Sequence, residues 1–314
     1  MSVLLAVVGW DEGPWIARLT RLLPAHAIVT PATLKDPASI RYGVSWRHAL
    51  GTFAGLPNLQ ALFSLGAGVD HMTRDPHLPA APIVRVVDPD LRDRMSEWVV
   101  MHALMHMRGV RRLERQQAAR LWRGDPDQPA ARDVRVGIMG LGALGADAAR
   151  KLRVIGFETM GWSRTPRALD GVACFHGVDG LDAMLGQTDI LVCLLPLTDA
   201  TRGVLNARLF AKLARGGRLG GPVLINAGRG ENVRLHLQAA ALDTGVLIAA
   251  SLDVFETEPL PETSPLWSHP NIWISPHDAA MSEPDAVARY VAGEILAFER
   301  GEPLRNVVDP ALGY

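Results

Sequence analysis

Short hydrophobic runs, separated by polar, glycine and proline residues, mark roughly the first ninety residues of the chain. Such runs are typical of buried strands, and amphipathic stretches between some of them, such as Trp15 to Leu23, are typical of helices. The predicted strands are Val3 to Val8, Ala27 to Thr30, Tyr42 to Ser45, Ala61 to Leu65 and Ile83 to Val87. This alternation predicts a parallel sheet whose strands are joined by crossover helices.

A long helical pattern separates this series of strands from a second one. It begins at Ser96, a residue suited to cap a helix, and continues to about Trp122 with apolar residues at helical spacing. A segment rich in Pro, Gly and Asp follows at Gly124 to Ala131. The strands predicted after it are Val134 to Met139, Glu158 to Trp162, Ile190 to Leu195, Val223 to Asn226, Ile248 to Val254 and Ile272 to Ser275. The pattern predicts a second α/β unit behind a connecting helix.

Length and composition agree with two folded domains. The 314 residues are about twice a typical domain length, and 48% hydrophobic with 21% charged residues excludes a disordered chain. The net charge of -1 provides no overall field for nucleic acid or an anionic membrane, and no apolar run reaches the length of a membrane span. Cys174 and Cys193 form no disulfide or metal pattern. A soluble cytoplasmic protein without nucleic-acid or membrane partners is expected.

A glycine motif follows the first strand of the second series. Gly140, Gly142 and Gly145 form G-x-G-x-x-G between a strand and a helical stretch. The first glycine allows a tight turn, the second lets the backbone approach a pyrophosphate, and the third permits close helix packing. Free N–H groups at the helix start, where Ala143 and Leu144 lie, face the anion. This context favours a dinucleotide site over a purely structural turn.

The segment after the next strand indicates which nicotinamide cofactor is preferred. A carboxylate there would bind the ribose hydroxyls of NAD, but residues 161–167 contain none. Ser163 and Thr165 can donate to a phosphate, Arg164 can neutralise it, and Arg167 supplies a second cation. We therefore predict NADPH (NADP) over NADH; the alternative is an ordinary solvated basic loop.

Three further motifs follow in the order Arg, Glu and His. Together with the glycine motif, Asn226 to Gly230, Asp253 to Pro259 and Pro276-His277 resemble the D-2-hydroxyacid dehydrogenase family over nearly the whole chain. The chain is most similar to the glyoxylate/hydroxypyruvate reductase A type. The residues that carry this similarity are Leu65 to Asp70, Trp162 to Arg164, Ser264 to Trp267 and Leu312-Gly313-Tyr314.

This resemblance implies a fold and an assembly. It implies two doubly wound α/β domains, with a Rossmann NAD(P)-binding domain inserted in a discontinuous flavodoxin-like substrate domain. The expected boundaries are residues 1–98 and 278–314 for the substrate domain and 99–277 for the Rossmann domain. It also implies a homodimer, in which the connecting helix embraces the other subunit.

The resemblance assigns catalytic roles to Arg229, Glu258 and His277. Reduction of a 2-keto acid delivers a proton to the keto oxygen, and His277 is the expected general acid. Glu258 would orient the imidazole and favour its charged form, while Arg229 would bind the keto oxygen and the carboxylate. Glu258 is preferred to Glu256 because the family's acid directly precedes proline. Taken alone, Arg229 also fits a surface cation at a strand end, Glu258 a solvated loop acid and His277 a residue at a helix start.

The remaining site residues also follow from the resemblance. Those assigned to the cofactor are Leu195, Pro196, Thr201, Ala227, Gly228 and Asp253. The backbone of Ala67 and Gly68 would bind the substrate carboxylate, unless the segment is only a tight turn. Trp46 faces either the active site or the core, and Met95 either narrows the substrate pocket or packs in the core.

The sequence therefore predicts an NADPH-dependent reductase of small 2-keto acids, such as glyoxylate or hydroxypyruvate, that forms (R)-2-hydroxy acids. Two alternatives stay open: a reductase of bulkier keto acids such as phenylpyruvate, and an NAD(P)-sensing protein of the C-terminal-binding corepressor type. His102 and His106 have helical spacing but no third ligand, so no metal site is expected. The basic run Arg108, Arg111, Arg112 and Arg115 is predicted to be a solvated helix face.

Overall fold

The chain divides into two compact units, each with its own sheet. The structure, a computed structural model, describes residues 1–233, 240–309 and 313. The split unit comprises Met1–Leu91 and Ser282–Tyr314, and the central unit comprises Arg92–Met281. Leu312 and Tyr314 of the terminal motif lie outside the described residues. The functional domains, with boundaries at 98/99 and 277/278, stay a prediction.

The strands pair only in parallel within the two sheets of the described residues. In chain order they are β1 Ser2–Val7, β2 Ala27–Val29, β3 Ile40–Trp46, β4 Ala61–Ser64, β5 Ile83–Val84, β6 Arg135–Met139, β7 Glu158–Ser163, β8 Ala173–His176, β9 Ile190–Cys193, β10 Val223–Asn226, β11 Ala249–Leu252 and β12 Ile272–Ile274. Parallel pairing requires the crossover connections that the sequence pattern predicts.

Helices lie between several of these strands, and one follows the last strand. They are α1 Glu12–Leu22, α2 Asp70–Thr73, α3 Pro89–Met107, α4 Val110–Ala118, α5 Ala143–Ile155, α6 Gly177–Leu185, α7 Ala207–Phe210 and α8 Pro284–Glu299. Within the described ranges, no helix has both the length and the hydrophobicity needed to cross a membrane.

The split unit is built on a five-stranded sheet of order β2-β1-β3-β4-β5. This order is that of flavodoxin-like folds, as predicted. Leu5, Val44 and Phe63 from the sheet belong to the same buried cluster as Val291 and Ile295 of α8. The C-terminal helix therefore completes a core that the first ninety or so residues begin, which explains why this unit is discontinuous.

The central unit is built on a seven-stranded sheet of order β12-β11-β10-β9-β6-β7-β8. The strand order reverses at β6, which is the Rossmann arrangement predicted from the sequence. The sequence pattern did not predict β8, because this four-residue edge strand is at most half-buried and has a weak hydrophobic signal. The carboxyl ends of β6, β9, β10, β11 and β12 lie along one edge of the sheet.

The predicted start of the connecting helix is wrong. α3 begins at Pro89, well before Ser96. Asp88 Oδ2 accepts the N–H groups of Asp90 (2.9 Å) and Leu91 (3.3 Å), so the Asp88 side chain caps the first turn of the helix. Proline is favoured in that turn because an N–H there has no acceptor within the helix, so its absence costs no hydrogen bond.

Ser96 has a different role inside the helix. Its buried hydroxyl lies 2.9 Å from the carbonyl oxygen of Arg92 and 2.6 Å from Asp147 Oδ2 on α5. The helical stretch is also interrupted, because Gly109 adopts a φ of 62° between α3 and α4. Trp122 lies beyond α4 and is fully exposed. The helical pattern thus corresponds to two helices rather than one.

The predicted solvated face of α4 is wrong for Arg111, which is half-buried, whereas Arg115 is exposed as predicted. The guanidinium of Arg111 lies 3.6 Å from the ring centroid of Trp273, and Arg115 donates to the carbonyl oxygen of Pro270 at 3.2 Å. A cation stacked on an indole gains electrostatic attraction as well as packing. These side chains attach α4 to the segment that contains β12.

His102 and His106 both contact the same serine. Ser251 Oγ on β11 lies 2.7 Å from His102 Nδ1 and 2.8 Å from His106 Nε2. His102 is 5% exposed. Burial lowers the pKa of His102 to about 4 and that of His106 to about 3, the latter with added repulsion from His102 and Arg111. In the described parts of the chain, no group of three or more His, Cys, Asp or Glu side chains could hold a metal ion.

We expect the protein to lose stability as the pH falls below about 6.5. Both folded-state pKa values lie below the ordinary histidine value, so the unfolded chain binds more protons in this range. Each histidine contributes about 1.4 kcal/mol per pH unit, so the unfolding free energy should fall by ~2–3 kcal/mol between about pH 7.5 and pH 5.5. Urea unfolding at a series of pH values measures this slope.

The double variant His102→Asn/His106→Gln should have a flatter pH dependence of unfolding free energy. His176→Asn is the matched control, because His176 is exposed at the sheet edge and its loss should leave the slope unchanged. A double variant with the wild-type slope would contradict the expectation.

Candidate active site

The glycine motif forms the turn between β6 and α5. β6 ends at Met139, and α5 begins at Ala143. Gly140 has a φ of 105°, a conformation that glycine adopts without strain. A Cβ atom on Gly145 would lie 1.8 Å from the carbonyl oxygen of Gly140. Only glycine therefore allows the helix to pack this closely on the turn.

The start of α5 can hold an anion. The first backbone N–H groups of a helix, here those of Ala143, Leu144 and Gly145, have no acceptor within the helix. A Cβ atom on Gly142 would meet no atom within 4 Å, so the space beside it is open. Backbone donors, the helix dipole and open space together fit a phosphate. The turn therefore fits the pyrophosphate of a dinucleotide.

A basic segment lies beside the glycine turn. The N–H of Gly140 donates to the carbonyl oxygen of Trp162 at 2.9 Å, which joins the turn to the end of β7. Ser163 Oγ donates to the carbonyl oxygen of Thr165 at 2.8 Å. The exposed residues of the segment are Arg164, Thr165, Pro166 and Arg167. The segment presents positive charge and hydroxyl groups, with no carboxylate between residues 161 and 167.

The segments after β9 and β10 touch each other. Thr201 Oγ1 donates to the carbonyl oxygen of Pro196 at 2.6 Å, and Asn232 Nδ2 lies 3.4 Å from that oxygen and 3.2 Å from the carbonyl oxygen of Thr201. A Cβ atom on Gly228 would lie 2.7 Å from the carbonyl oxygen of Leu195. The structure thus brings together the residues of these two segments that were assigned to the cofactor.

Arg229 follows β10 and is fixed by its own loop. Its N–H donates to Asn232 Oδ1 at 2.7 Å, and its guanidinium Nη1 donates to the carbonyl oxygen of Gly228 at 2.8 Å. A Cβ atom on Gly230 would lie 1.9 Å from the carbonyl carbon of Phe255. The Arg229 loop therefore packs directly on the segment after β11.

Glu258 and His277 form a hydrogen-bonded pair. Glu258 Oε2 lies 2.8 Å from His277 Nδ1, and Glu258 Oε1 accepts the N–H of Phe255 at 3.1 Å. The side chains are 21% and 32% exposed, respectively. Because Nδ1 contacts the carboxylate, Nε2 is the ring nitrogen that remains for another molecule. Phe255 thus links the acid to the loop that carries Arg229.

Asp253 holds the backbone around His277. The N–H of His277 donates to the carbonyl oxygen of Asp253 at 2.9 Å. Asp253 Oδ1 accepts the hydroxyl of Ser275 at 2.6 Å and the N–H groups of Asp278 and Ala279, both at 3.0 Å. Burial raises the pKa of Asp253, an effect that these hydrogen bonds and the charge of His277 oppose. His277 has a φ of 56°, a conformation that this network maintains.

In the split unit, Trp46 lies against the turn that contains Ala67 and Gly68. A Cβ atom on Gly66 would lie 2.5 Å from Trp46 Cζ3. The hydroxyl of Ser64 donates to the carbonyl oxygen of Gly68 at 3.0 Å, which closes the turn. Trp46 is only partly buried. Its ring and this turn therefore share the carboxyl edge of the five-stranded sheet.

A family model described as D-isomer specific 2-hydroxyacid dehydrogenase, NAD binding domain, matches residues 100–279. The chain belongs to the D-2-hydroxyacid dehydrogenase family. The glyoxylate/hydroxypyruvate reductase A of Serratia proteamaculans is 38% identical over 321 residues, which cover all of both chains. Family membership confirms the resemblance seen in the motifs.

Solved structures of relatives agree with this family assignment. An NADPH-dependent glyoxylate/hydroxypyruvate reductase from Sinorhizobium meliloti, in complex with NADP and sulfate, is 46% identical and has a TM-score of 0.93. A probable 2-hydroxyacid dehydrogenase from Rhizobium etli, in complex with NADP, HEPES and tartaric acid, is 45% identical and has a TM-score of 0.93. Each comparison covers 100% of this chain and 99% of the other. The central unit of this dehydrogenase is therefore a nicotinamide-dinucleotide-binding domain.

Some residues of the dehydrogenase site carry no sequence signal. Asn232 accepts the N–H of Arg229, and Ser275 donates its hydroxyl to Asp253. Neither Asn232 nor Ser275 belongs to a motif that predicts these contacts. Met95 was predicted either to narrow the substrate pocket or to pack in the core, and it belongs to a buried cluster with Trp98 and Val99. The individual roles of the site residues remain predictions.

Proposed function

We propose that the protein is an NADPH-dependent reductase that converts small 2-keto acids, such as glyoxylate or hydroxypyruvate, to 2-hydroxy acids, with the (R) configuration where the product is chiral. The observation that carries the proposal is the 2.8 Å contact between Glu258 and His277, linked through Phe255 to the Arg229 loop. The names of the Serratia and Sinorhizobium relatives support the substrate class. When bound, the nicotinamide supplies the hydride.

His277 is the proposed proton donor. Glu258 contacts Nδ1, so the proton for the keto oxygen leaves from Nε2. The carboxylate at Nδ1 fixes the ring orientation. The Asp253 network keeps the histidine backbone in its left-handed conformation. The substrate oxygen therefore receives its proton from a preoriented ring.

Arg229 is the proposed electrophilic group. A guanidinium can bind the keto oxygen and the carboxylate of one substrate because its donors form a planar fork. The hydrogen bond from Nη1 to the Gly228 carbonyl limits the directions available to the side chain. Arg229 would thereby stabilise the negative charge that develops on the oxygen.

The substrate carboxylate is proposed to bind the backbone N–H groups of Ala67 and Gly68, with Trp46 beside them. The proposed substrate domain comprises residues 1–98 and 278–314, and the proposed cofactor domain comprises residues 99–277. A homodimer is proposed from family membership, and light scattering would test it.

We propose that the cofactor is NADPH rather than NADH. Arg164 lies beside the glycine turn, together with Ser163, Thr165 and Arg167, where the 2′-phosphate of NADP is held in this fold. The NADP and NADPH complexes of three similar structures support this preference.

Arg164→Asp should reduce kcat/KM for NADPH by about 10–100-fold, because a phosphate loses a charged partner and meets a carboxylate. The variant should use NADH at least as well as the wild type. Arg132→Asp is the control, since Arg132 is exposed and precedes β6 at the opposite edge of the sheet. An unchanged ratio of NADPH to NADH use in Arg164→Asp would remove Arg164 from this role.

Steady-state NADPH oxidation with a panel of 2-keto acids tests the proposed function. Glyoxylate and hydroxypyruvate should be reduced, with (R) products identified by chiral chromatography where the product is chiral. Larger turnover with phenylpyruvate would instead favour the bulkier-substrate reductase. Absence of cofactor oxidation with every acid would contradict the proposal and favour a cofactor-sensing protein.

A further inference from the structure

Two indole rings meet at the carboxyl ends of β1 and β3 in the split unit. Trp46 ends β3 and pairs with Val7, which ends β1, and Trp10 follows three residues later. The rings of Trp10 and Trp46 stack with centroids 4.9 Å apart and an interplanar angle of 11°. In the order β2-β1-β3, the strand order reverses between β1 and β3, where doubly wound sheets form their ligand crevice.

These rings belong to a longer stack. Trp15 of α1 stacks on Trp10 at 5.7 Å and 12°. The guanidinium of Arg18 lies over Trp15 at 5.9 Å, and that of Arg47 lies over Trp46 at 5.5 Å. The faces of Trp10 and Trp46 are therefore engaged by other protein groups. A small molecule at this crevice meets the edges of the rings.

The backbone at Trp46 and Arg47 is fixed by buried polar groups on both sides. Ser45 Oγ lies 2.7 Å from His48 Nδ1, and His48 Nε2 lies 3.3 Å from Asp75 Oδ2. Both partners of the second contact have fully buried side chains. Arg47 has a φ of 52°, which is unfavourable for arginine and persists only where its surroundings impose it. The network thus fixes the backbone from which the Arg47 side chain projects.

The edges of the Trp10 and Trp46 rings favour some ligand atoms over others. Trp10 is 37% exposed, and among the described residues neither its indole N–H nor that of Trp46 has a hydrogen-bond acceptor. Ring edges carry partial positive charge, and each N–H adds a donor. With Arg47 beside them, these edges favour an oxygen atom that carries negative charge. An aryl group would find no free ring face on which to stack.

We propose that Trp10 is a specificity-determining residue, which together with Arg47 selects 2-keto acids whose C3 atom carries a hydroxyl or carboxylate group. This proposal rests on the proposed function, because it takes the Gly66 to Gly68 turn as the binding site of the substrate carboxylate. That turn lies against the ring of Trp46. The C3 substituent of an acid held there reaches the ring edges.

The kcat/KM ratio of hydroxypyruvate to glyoxylate tests the proposal, because glyoxylate has no C3 atom. Trp10→Phe keeps an aromatic ring in the stack but removes the N–H, and it should lower this ratio by about tenfold. Trp15→Phe is the matched control within the same stack and should change the ratio by less than about twofold. Thermal unfolding of each variant confirms that it is folded.

Arg47 is tested with a dianionic acid. Arg47→Gln should lower kcat/KM for oxaloacetate relative to glyoxylate by about tenfold, and Arg47→Lys should restore part of the loss. A hydroxypyruvate-to-glyoxylate ratio that is unchanged in Trp10→Phe, or a wild type that prefers phenylpyruvate to hydroxypyruvate, would overturn the proposal. A wild type that reduces neither glyoxylate nor hydroxypyruvate would overturn the proposed function and this proposal with it.

Discussion

His277→Ala is expected to lower kcat by about 10²–10⁴-fold, because the keto oxygen loses its positioned proton donor. Affinity for NADPH should change little, since the anion-binding turn is formed by residues 140–145 at the end of another strand. Stopped-flow turnover and equilibrium titration of NADPH fluorescence measure the two quantities separately. Preserved turnover would exclude His277 as the acid.

Two glutamate variants test whether Glu258 acts specifically on His277. Glu258→Gln keeps an acceptor for the N–H of Phe255 but removes the negative charge at His277 Nδ1, so it should also lower kcat. Glu256→Gln changes the neighbouring acid of the same segment and should retain activity. Equal effects of the two substitutions would show that the Glu258–His277 pair has no special role.

Arg229→Lys should reduce kcat/KM for the keto acid by about 10²–10³-fold. Lysine keeps the charge but lacks the planar fork, and it cannot both donate to the Gly228 carbonyl and bind two substrate oxygens in the same geometry. The initial-rate dependence on keto acid at saturating NADPH measures the effect.

Arg202→Lys is the matched control for this substitution. Arg202 is half exposed and lies 3.7 Å from Glu231, next to the Arg229 loop. Its replacement therefore tests whether any change from arginine to lysine in this region lowers activity. Its kcat/KM should stay near that of the wild type. A similar loss in both variants would indicate that the region, rather than Arg229, determines activity.

The sequence predicts those parts of the site that depend on local backbone chemistry. Gly140 is required because its φ is positive, and Gly145 is required because a Cβ atom there would lie 1.8 Å from the carbonyl oxygen of Gly140. Both requirements arise within six residues. A glycine motif between a strand and a helix therefore suffices to locate this turn. The two parallel sheets were also predictable, because their buried strands form continuous hydrophobic runs.

Contacts between distant segments were not predictable in this way. Ser96 resembles a helix cap in the sequence, but Asp88 caps α3, and the hydroxyl of Ser96 instead contacts Asp147 across the core. The stack of Trp10 and Trp46 joins residues 36 positions apart, beyond the reach of any local periodicity. Such contacts depend on strand order, which a single sequence determines only through the complete fold.

Ser251 lies between His102 and His106 and links the hydrogen positions on the two imidazole rings. A hydroxyl has one hydrogen, so Ser251 can donate to only one of the two imidazoles and must accept from the other. When His102 Nδ1 accepts, His106 must carry its hydrogen on Nε2; when His106 Nε2 accepts, His102 must carry its hydrogen on Nδ1. The two ring nitrogens that face Ser251 therefore cannot both lack a hydrogen, so the tautomer of each ring constrains that of the other.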